Sequence, residues 1–305
     1  MVFVIFSCTY GNISEIFCIG DFCMNELIRP VKENRVVIKI GSNSLMHPET
    51  GKPDYIKIER LAMELTDLRN RGLDVCLVSS GAIALGRQML LGNEAPKSLS
   101  EKQALASIGQ SRLMMIYQEA FMRFNQTIGQ ILMTKNTLLN EEDRVNAQNA
   151  FSELFSMGVI PIVNANDTIS TYDIQYGDND TLSAIVASLI SAHRLILMSD
   201  IDGLYTGDPR KDKDASLISR VDDISDEIVN MASGETGSSV GTGGMATKII
   251  AAKIATRSGS SMLIVSAEDV SVLHDIFDGK KIGTFFAPKY DETFDLLEYI
   301  ESTIR

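Results

Sequence analysis

The stretch RVVIKIG, residues 35–41, is a short, continuously apolar run interrupted by one lysine and closed by a glycine. A run of this kind is typical of a strand that is buried on both faces, as in a parallel sheet. Similar runs recur along the chain and alternate with segments in which apolar residues return every three to four positions. This alternation predicts an α/β fold, a three-layer αβα sandwich around a mainly parallel central sheet.

The boundaries of the expected elements follow from these runs. Further strands are predicted at LDVCLVSSG (73–81), TIGQILMT (127–134), VIPIVNAND (159–167), RLILMSD (194–200) and SMLIVS (261–266). Helices are predicted at IKIERLAMELTDLRNRG (56–72), EEDRVNAQNAFSELFSMG (141–158), YGDNDTLSAIVASLI (176–190) and GMATKIIAAKIATRSG (244–259), with one or two helices across residues 98–124. We see no internal repeat and no low-complexity tract.

Composition describes an ordinary globular protein. Of 305 residues, 45% are hydrophobic and 22% charged, and the net charge is −12. The negative charge argues against nucleic-acid binding, which depends on clustered Lys and Arg. No long uncharged apolar stretch indicates a membrane span. Three of the four cysteines lie within the first 23 residues, which favours a reducing, cytoplasmic location. The three histidines lack metal-ligand spacing, so no protein-held metal is predicted.

The first 23 residues differ from the rest of the chain. They contain no Lys or Arg, and Glu15 and Asp21 interrupt their apolar character, which does not fit a secretory signal. Met24 follows directly. We therefore expect residues 1–23 to be a non-structural extension and residues 24–305 to form a single domain.

Polar and glycine residues collect where the predicted strands end. Because parallel sheets bind ligands at the carboxyl ends of their strands, we expect a site along that edge. The residues in question are Lys39 to Asn43, Ser79 to Gly81, Asn164, Asn166 and Asp167, and Ser199 and Asp200.

Two lysines and a glycine-rich loop suggest a phosphate site. Lys39 interrupts an apolar strand, where a charge is costly unless compensated; the alternative is an edge-strand side chain that reaches solvent. Lys248 follows GSSVGTGGMAT (237–247), a loop that leads into a helix N-terminus. No strand precedes Gly241, so the loop is not a dinucleotide fingerprint, and it lacks the Gly-Lys-Ser/Thr order of a Walker A loop. A plain surface loop remains the alternative.

Asp178, Asn179 and Asp180 precede a predicted helix, and they cannot all cap it. Lysines, a glycine loop and acids without a nucleophile–base pair favour phosphoryl transfer, in which the protein mainly positions reactants and neutralises charge. The residues alone do not name the substrate.

Seven ordered motifs resemble the amino acid kinase superfamily over roughly residues 34–288. They are VVIKIGSNSL, VSSGAIALG, SIGQSRL, PIVNANDTI, YGDNDTLSA, LILMSDIDGLYTGDPR and GTGGMATKIIAA. Within the superfamily, VSSGAIALG and YGDNDTLSA are similar to glutamate 5-kinases, which make γ-glutamyl phosphate from ATP and L-glutamate on the route to proline. The resemblance implies the amino acid kinase fold and this activity.

The resemblance also implies residue roles. Lys39 and Lys248 would stabilise the transferring phosphoryl group, and Asp200 would organise the two lysines. Ser80, Asp167 and Asn179 would bind glutamate, with Asn164, Asp178 and Asp180 behind them, and Gly41 and Gly81 would offer backbone donors. The nucleotide would contact Lys39, Gly41, Ser199, Asp200, Thr242, Gly243, Gly244, Met245, Ala246, Thr247 and Lys248.

The implied cofactors are ATP and Mg²⁺, the metal being bound through nucleotide phosphates. Proline is an implied feedback inhibitor, and a homo-oligomer is expected. Many bacterial members carry a C-terminal PUA domain; because few residues follow GTFFAP (283–288), we expect that domain to be absent.

Two alternatives remain. Another amino acid kinase would act on N-acetylglutamate or aspartate, but an N-acylated substrate lacks the ammonium group that a carboxylate-rich pocket suits. A non-catalytic amino-acid sensor on the same scaffold would not need both lysines.

Overall fold

The computed structural model describes residues 31–92, 94–169, 179–209, 211–233 and 244–303. The predicted extension, residues 1–23, lies outside these ranges. Its separation from a single domain over residues 24–305 therefore stays a prediction.

The centre of the described structure is an eight-stranded sheet. Its strands are β1 (Lys32–Ile40), β2 (Asp74–Ser79), β3 (Ile128–Met133), β4 (Ile160–Ala165), β5 (Ala192–Ser199), β8 (Arg220–Val221), β9 (Ser261–Ser266) and β10 (Thr284–Phe286). Their order across the sheet is β3-β4-β2-β1-β5-β9-β10-β8, and neighbouring strands run parallel, except that β10 is antiparallel to β9. A separate antiparallel pair consists of β6 (Leu204–Tyr205) and β7 (Leu217–Ile218).

Helices cover both faces of this sheet, which confirms the predicted αβα sandwich. One face packs against α1 (Tyr55–Asn70), α2 (Ala82–Leu90), α3 (Leu99–Met122) and α9 (Val272–Phe277). The other face packs against α4 (Lys135–Leu139), α5 (Glu141–Ser156), α6 (Asn179–Leu189), α7 (Asp226–Ser233), α8 (Met245–Arg257) and α10 (Leu296–Thr303). Within the described ranges, no helix has the length and apolar character needed to cross a membrane.

Side chains of the central strands pack into two separate buried clusters, one on each face of the sheet. In β1, Val36, Ile38 and Ile40 pack on the side of α1 and α3, whereas Val37 packs on the side of α6 and α8. Successive side chains of a strand point to opposite faces, so both faces of β1 must be apolar to be buried. This explains why the sequence of β1 is a continuous apolar run rather than an alternating one.

The pair of helices α2 and α3 packs unusually closely, and the sequence did not predict α2. A Cβ atom added to Gly86 of α2 would lie 2.0 Å from the main-chain oxygen of Leu105. One added to Gly109 of α3 would lie 1.8 Å from that of Ala82. The glycines thus allow the two backbones to touch. Residues 98–124, read as one or two helices, contain the single helix α3.

Candidate active site

Lys39 lies near the carboxyl end of β1 and faces α6 and α8. Alternation along the strand places its side chain on the same face as Val37. Its neighbours in the sheet are β2 and β5, so β1 is a central strand, and Lys39 is only 9% exposed. The interpretation of Lys39 as an edge-strand residue that reaches solvent is therefore wrong.

Asp180 joins the two predicted lysines. Its Oδ1 lies 2.5 Å from Nζ of Lys39, and its Oδ2 lies 3.0 Å from Nζ of Lys248. Asp180 is the second residue of α6 and Lys248 the fourth of α8, and these helices pack side by side. Lys248 is 3% exposed and Asp180 1%. We call these three side chains the Lys–Asp–Lys cluster.

The charge state of the cluster follows from its geometry. Burial raises the pKa of the Asp180 carboxyl, but the charges and hydrogen bonds of Lys39 and Lys248 outweigh burial and hold that pKa below its ordinary value. The carboxylate is ionised at neutral pH. Two ammonium groups and one carboxylate then leave one positive charge, which suits a negatively charged ligand.

Asp200 does not take the place that the sequence assigned to it. It is exposed at the carboxyl end of β5, and its Oδ1 accepts a hydrogen bond from Oγ of Ser199 at 2.9 Å. Within the described residues no salt bridge joins it to either lysine. The acid that organises the lysines in this structure is Asp180. The reason is physical: a carboxylate at the exposed strand end is too solvated to compensate ammonium groups that lie under α6 and α8.

The sequence contains a pattern that indicates Asp180, rather than Asp200, as the acid between the two lysines. Asp180, Ser183, Ala184 and Ala187 recur at helical spacing, and all four are buried. Small residues on that face allow α6 to approach the sheet and α8. An acid in line with them must face the core, where it needs a positive partner.

Asn179, the first residue of α6, is fixed to two neighbouring strands. Its Nδ2 donates to the main-chain oxygen of Ser79 at 2.8 Å and to Oδ1 of Asn164 at 3.0 Å. Ser79 ends β2 and Asn164 lies in β4, the strand paired with β2. The structure thus brings the predicted residues Asn179 and Asn164 together beside the Lys–Asp–Lys cluster.

Two other predicted substrate residues lie at the same edge of the sheet. Ser80 directly follows β2 and is half-buried; its main-chain oxygen accepts a hydrogen bond from Oγ of Ser79 at 3.3 Å. Asp167 is half-buried in the turn after β4. The predicted residue Asp178 lies outside the described residues.

The two predicted backbone donors are Gly81 and Gly41. Gly81 has a backbone conformation that favours glycine, and Gly41 lies against the Lys–Asp–Lys cluster. Gly81 has φ of 111°, in the left-handed region, and its backbone begins α2. A Cβ atom on Gly41 would lie 3.8 Å from Nζ of Lys39, so the backbone of Gly41 runs directly beside this ammonium group.

The end of the glycine-rich loop leads into α8 as expected. Gly244 is the N-cap of the helix, and its main-chain oxygen accepts a hydrogen bond from Oγ1 of Thr247 at 2.7 Å. Met245 packs half-buried against the core, and Ala246 is exposed. Ser199, predicted to line the nucleotide site, is buried at the end of β5. Thr242 and Gly243 lie outside the described residues.

The arrangement is suited to stabilising charge that develops on a phosphoryl group. Two ammonium groups are held in place in a poorly solvated site, where electrostatic interactions are stronger than in water. In the described ranges, no group of three or more His, Cys, Asp or Glu side chains is placed to hold a metal ion.

Comparison with known proteins places the chain in a family. The amino acid kinase family model matches residues 34–266. The glutamate 5-kinase of Clostridium acetobutylicum is 49% identical over 256 residues, which are 84% of this chain and 95% of the relative. The glutamate 5-kinase of Carboxydothermus hydrogenoformans is 48% identical over 266 residues, which are 87% of this chain and 70% of the relative.

Solved structures share the fold at low sequence identity. A UMP kinase from Bacillus anthracis superimposes with a TM-score of 0.56 at 16% identity, covering 86% of this chain and 98% of that one. An isopentenyl phosphate kinase from T. acidophilum gives 0.55 at 17% identity, covering 83% and 99%. The chain therefore belongs to the amino acid kinase family and, within it, groups with the glutamate 5-kinases.

Proposed function

We propose that the protein transfers the γ-phosphoryl group of ATP to the γ-carboxylate of L-glutamate, giving γ-glutamyl phosphate and ADP, the first step of proline biosynthesis. The observation that carries the proposal is the Lys–Asp–Lys cluster at the carboxyl edge of the sheet. The similarity to glutamate 5-kinases over most of the chain supports the choice of substrate.

The chemistry requires placement of charge rather than a covalent catalyst. A γ-carboxylate oxygen attacks the γ-phosphorus, and the bond from that phosphorus to the bridging oxygen of ADP breaks. The attacking carboxylate is already ionised at neutral pH, so no general base has to remove a proton. Negative charge on the moving group would be stabilised by the ammonium groups of Lys39 and Lys248. Asp180 would keep both at fixed positions before ATP binds.

The amino acid would lie between the Lys–Asp–Lys cluster and the ends of β2 and β4. Asn179, Asn164, Ser80 and Asp167 are the described residues that would surround it, with Asp178 as a further contributor. Carboxylate and amide oxygens would bind its ammonium group, and backbone N–H groups would bind its α-carboxylate.

Mg²⁺ would enter with the nucleotide. Both oxygens of Asp180, the most buried of the described acids of the site, already face ammonium groups, so this carboxylate is not a metal ligand. The ion would be held by phosphate oxygens and water, where it neutralises phosphate charge.

An acceptor panel tests the proposal. ADP release with MgATP would be measured with L-glutamate, N-acetyl-L-glutamate, L-aspartate or UMP as the acceptor. We expect release above background with L-glutamate. Activity with UMP alone, or with none of the four, would contradict the assignment and favour a different kinase or the amino-acid sensor.

The remaining proposals concern regulation and assembly. We propose that proline inhibits the reaction, that the chain forms a homo-oligomer and that it works in the cytoplasm. Inhibition is measured by adding proline to the ADP-release assay, and assembly by light scattering of the purified protein.

A further inference from the structure

The orientation of the Asn164 side chain is fixed by the backbone of the next residue. Pairing of β2 with β4 ends at Val78 and Val163, so the N–H of Ala165 lies beyond it. This N–H donates to Oδ1 of Asn164 at 2.9 Å. A backbone N–H can only donate. The side-chain oxygen of Asn164 must therefore face Ala165, and Nδ2 must point the other way.

Gln110 of α3 receives the other end of the Asn164 amide. Nδ2 of Asn164 donates to Oε1 of Gln110 at 2.9 Å, and Gln110 is only 9% exposed. Its Nε2 is buried and has no hydrogen-bond partner among the described residues. An unpaired buried N–H is unfavourable. Gln110 nevertheless keeps this orientation, because turning its amide over would set two N–H groups against each other.

The orientation of the Asn179 amide is fixed in the same way, by the donors and acceptors around it. Oδ1 of Asn164 also faces Asn179, so Asn179 must present its Nδ2 there, at 3.0 Å. The second N–H of that Nδ2 is used by the main-chain oxygen of Ser79 at 2.8 Å. Both donors of Asn179 are thus directed to the protein. Of the polar atoms of the Asn179 side chain, only the oxygen is therefore left to bind a ligand.

We propose that Gln110 is a positioning residue that, together with the N–H of Ala165, holds Asn164 in place, so that Asn179 presents an oxygen to the substrate, and that this selects an amino acid with a free ammonium group. The inference rests on the proposed function, since it concerns the glutamate pocket. Gln110 lies behind both asparagines and acts without touching the substrate. If Oε1 of Gln110 were removed, Nδ2 of Asn164 would lose its acceptor and the Asn164 amide would be held only through Oδ1. Asn164 would then hold Asn179 less firmly in the orientation that presents its oxygen to the ammonium group.

Three variants test the proposal. Gln110→Met removes the acceptor at similar side-chain length, and Gln110→Glu restores an acceptor at the same position. Gln126→Met is the matched control, because Gln126 is also a buried glutamine and its Nε2 donates to the main-chain oxygens of Thr127 and Gly158 at 2.7 and 2.9 Å, before β3 and β4 begin and outside the amide series. The readouts are KM for L-glutamate, KM for ATP, kcat, and Ki for glutarate, which is glutamate without its ammonium group.

For Gln110→Met we expect KM for L-glutamate to rise about tenfold, the effect of one unmade buried hydrogen bond. KM for ATP and Ki for glutarate should stay within about twofold of wild type, which is below the effect of one such bond. Gln110→Glu should restore most of the glutamate affinity, and Gln126→Met should leave KM unchanged.

The results that would overturn this inference differ from those that would overturn the proposed function. Equal loss of glutamate and glutarate binding, or a fall in kcat with unchanged KM, would show that Gln110 only supports the fold and would overturn the inference. A wild-type protein that uses L-aspartate or UMP but not L-glutamate would overturn the proposed function, and with it the selection of this ligand. Wild-type glutamate kinase activity with an unaffected Gln110→Met variant would overturn the inference alone.

Discussion

Replacing Asp180 by Asn tests whether this carboxylate holds the two lysines. Asn keeps the size of the side chain but removes its charge. Because the two oxygens of Asp180 face different lysines, the single oxygen of Asn replaces only one of them, and its NH₂ group faces the other ammonium group. Lys39 and Lys248, which are 9% and 3% exposed, would then lose the negative charge that lies between them. The variant changes the buried charge of the Lys–Asp–Lys cluster from one positive charge to two.

The size of the effect follows from this burial. Removing one partner of a buried ion pair costs about 3–5 kcal/mol of folding free energy. At about 2–4 °C per kcal/mol for a large domain, we expect Tm to fall by about 6–20 °C. The double variant Asp180→Asn with Lys248→Met returns the cluster to one positive charge, so it should be more stable than the single variant.

The assay is thermal unfolding followed by circular dichroism. Asp275→Asn is the matched control: Asp275 pairs with Lys280 at 2.7 Å, but Lys280 is exposed and Asp275 only half-buried, so its loss should change stability by about 1 kcal/mol or less. A Tm for Asp180→Asn no lower than that of this control would refute the account of the cluster. So would a double variant less stable than the single one.

The Tm difference between wild type and Asp180→Asn should also depend on pH, with a definite sign. The ammonium groups hold the folded-state pKa of Asp180 below its ordinary value, against the effect of burial. Its stabilisation is therefore fully present above the unfolded-state pKa of about 3.9 and is lost as pH falls through the lower folded-state pKa. The Tm difference between wild type and Asp180→Asn should be constant between about pH 7 and pH 5 and should narrow below about pH 4.

Three further substitutions have defined outcomes. Lys248→Ala should lower kcat by about 10²-fold or more, the effect of losing one transition-state donor; a change confined to KM in steady-state kinetics would make Lys248 a ground-state binding residue. Asn179→Ala should mainly raise KM for L-glutamate, and an unchanged KM would place Asn179 outside the substrate site. Gly109→Ala should lower stability by about 1–3 kcal/mol in urea unfolding because its Cβ would meet Ala82. Alanine normally favours a helix over glycine, so a stabilised Gly109→Ala variant would contradict the close contact of α2 with α3.

Much of the fold was predictable because local pattern and tertiary structure agree. The continuous apolar run of β1 reflects burial on both faces of the sheet, and helix α1 has apolar residues at helical spacing and ends before Gly72, which has φ of 92°. Helix α2 was not predicted, since its short sequence contains Gly86, which weakens a helix in isolation. That glycine is required by contact with α3, a feature that no local pattern contains.

The strand-end rule anticipates part of the candidate site but not its internal arrangement. It places Lys39, Asn164 and Asp200 at one edge of the sheet, because it depends only on strand direction. Lys248, Asn179 and Asp180 lie in helices, which the rule does not cover. Whether Asp180 or Asp200 lies between the lysines depends on how α6 packs against α8. This packing is a tertiary contact, which sequence spacing does not specify. Asp200 follows a strand and is exposed, whereas Asp180 is buried in the first turn of α6, and only the buried acid requires a positive partner.

The most direct test of the central claim is to trap the product. Acyl phosphates react with hydroxylamine, so wild-type protein with MgATP, L-glutamate and hydroxylamine should form one γ-glutamyl hydroxamate for each ADP released. The Lys248→Ala variant should form it about 10²-fold more slowly. ADP release without hydroxamate, or hydroxamate formation at the wild-type rate in Lys248→Ala, would contradict phosphoryl transfer to glutamate by the Lys–Asp–Lys cluster.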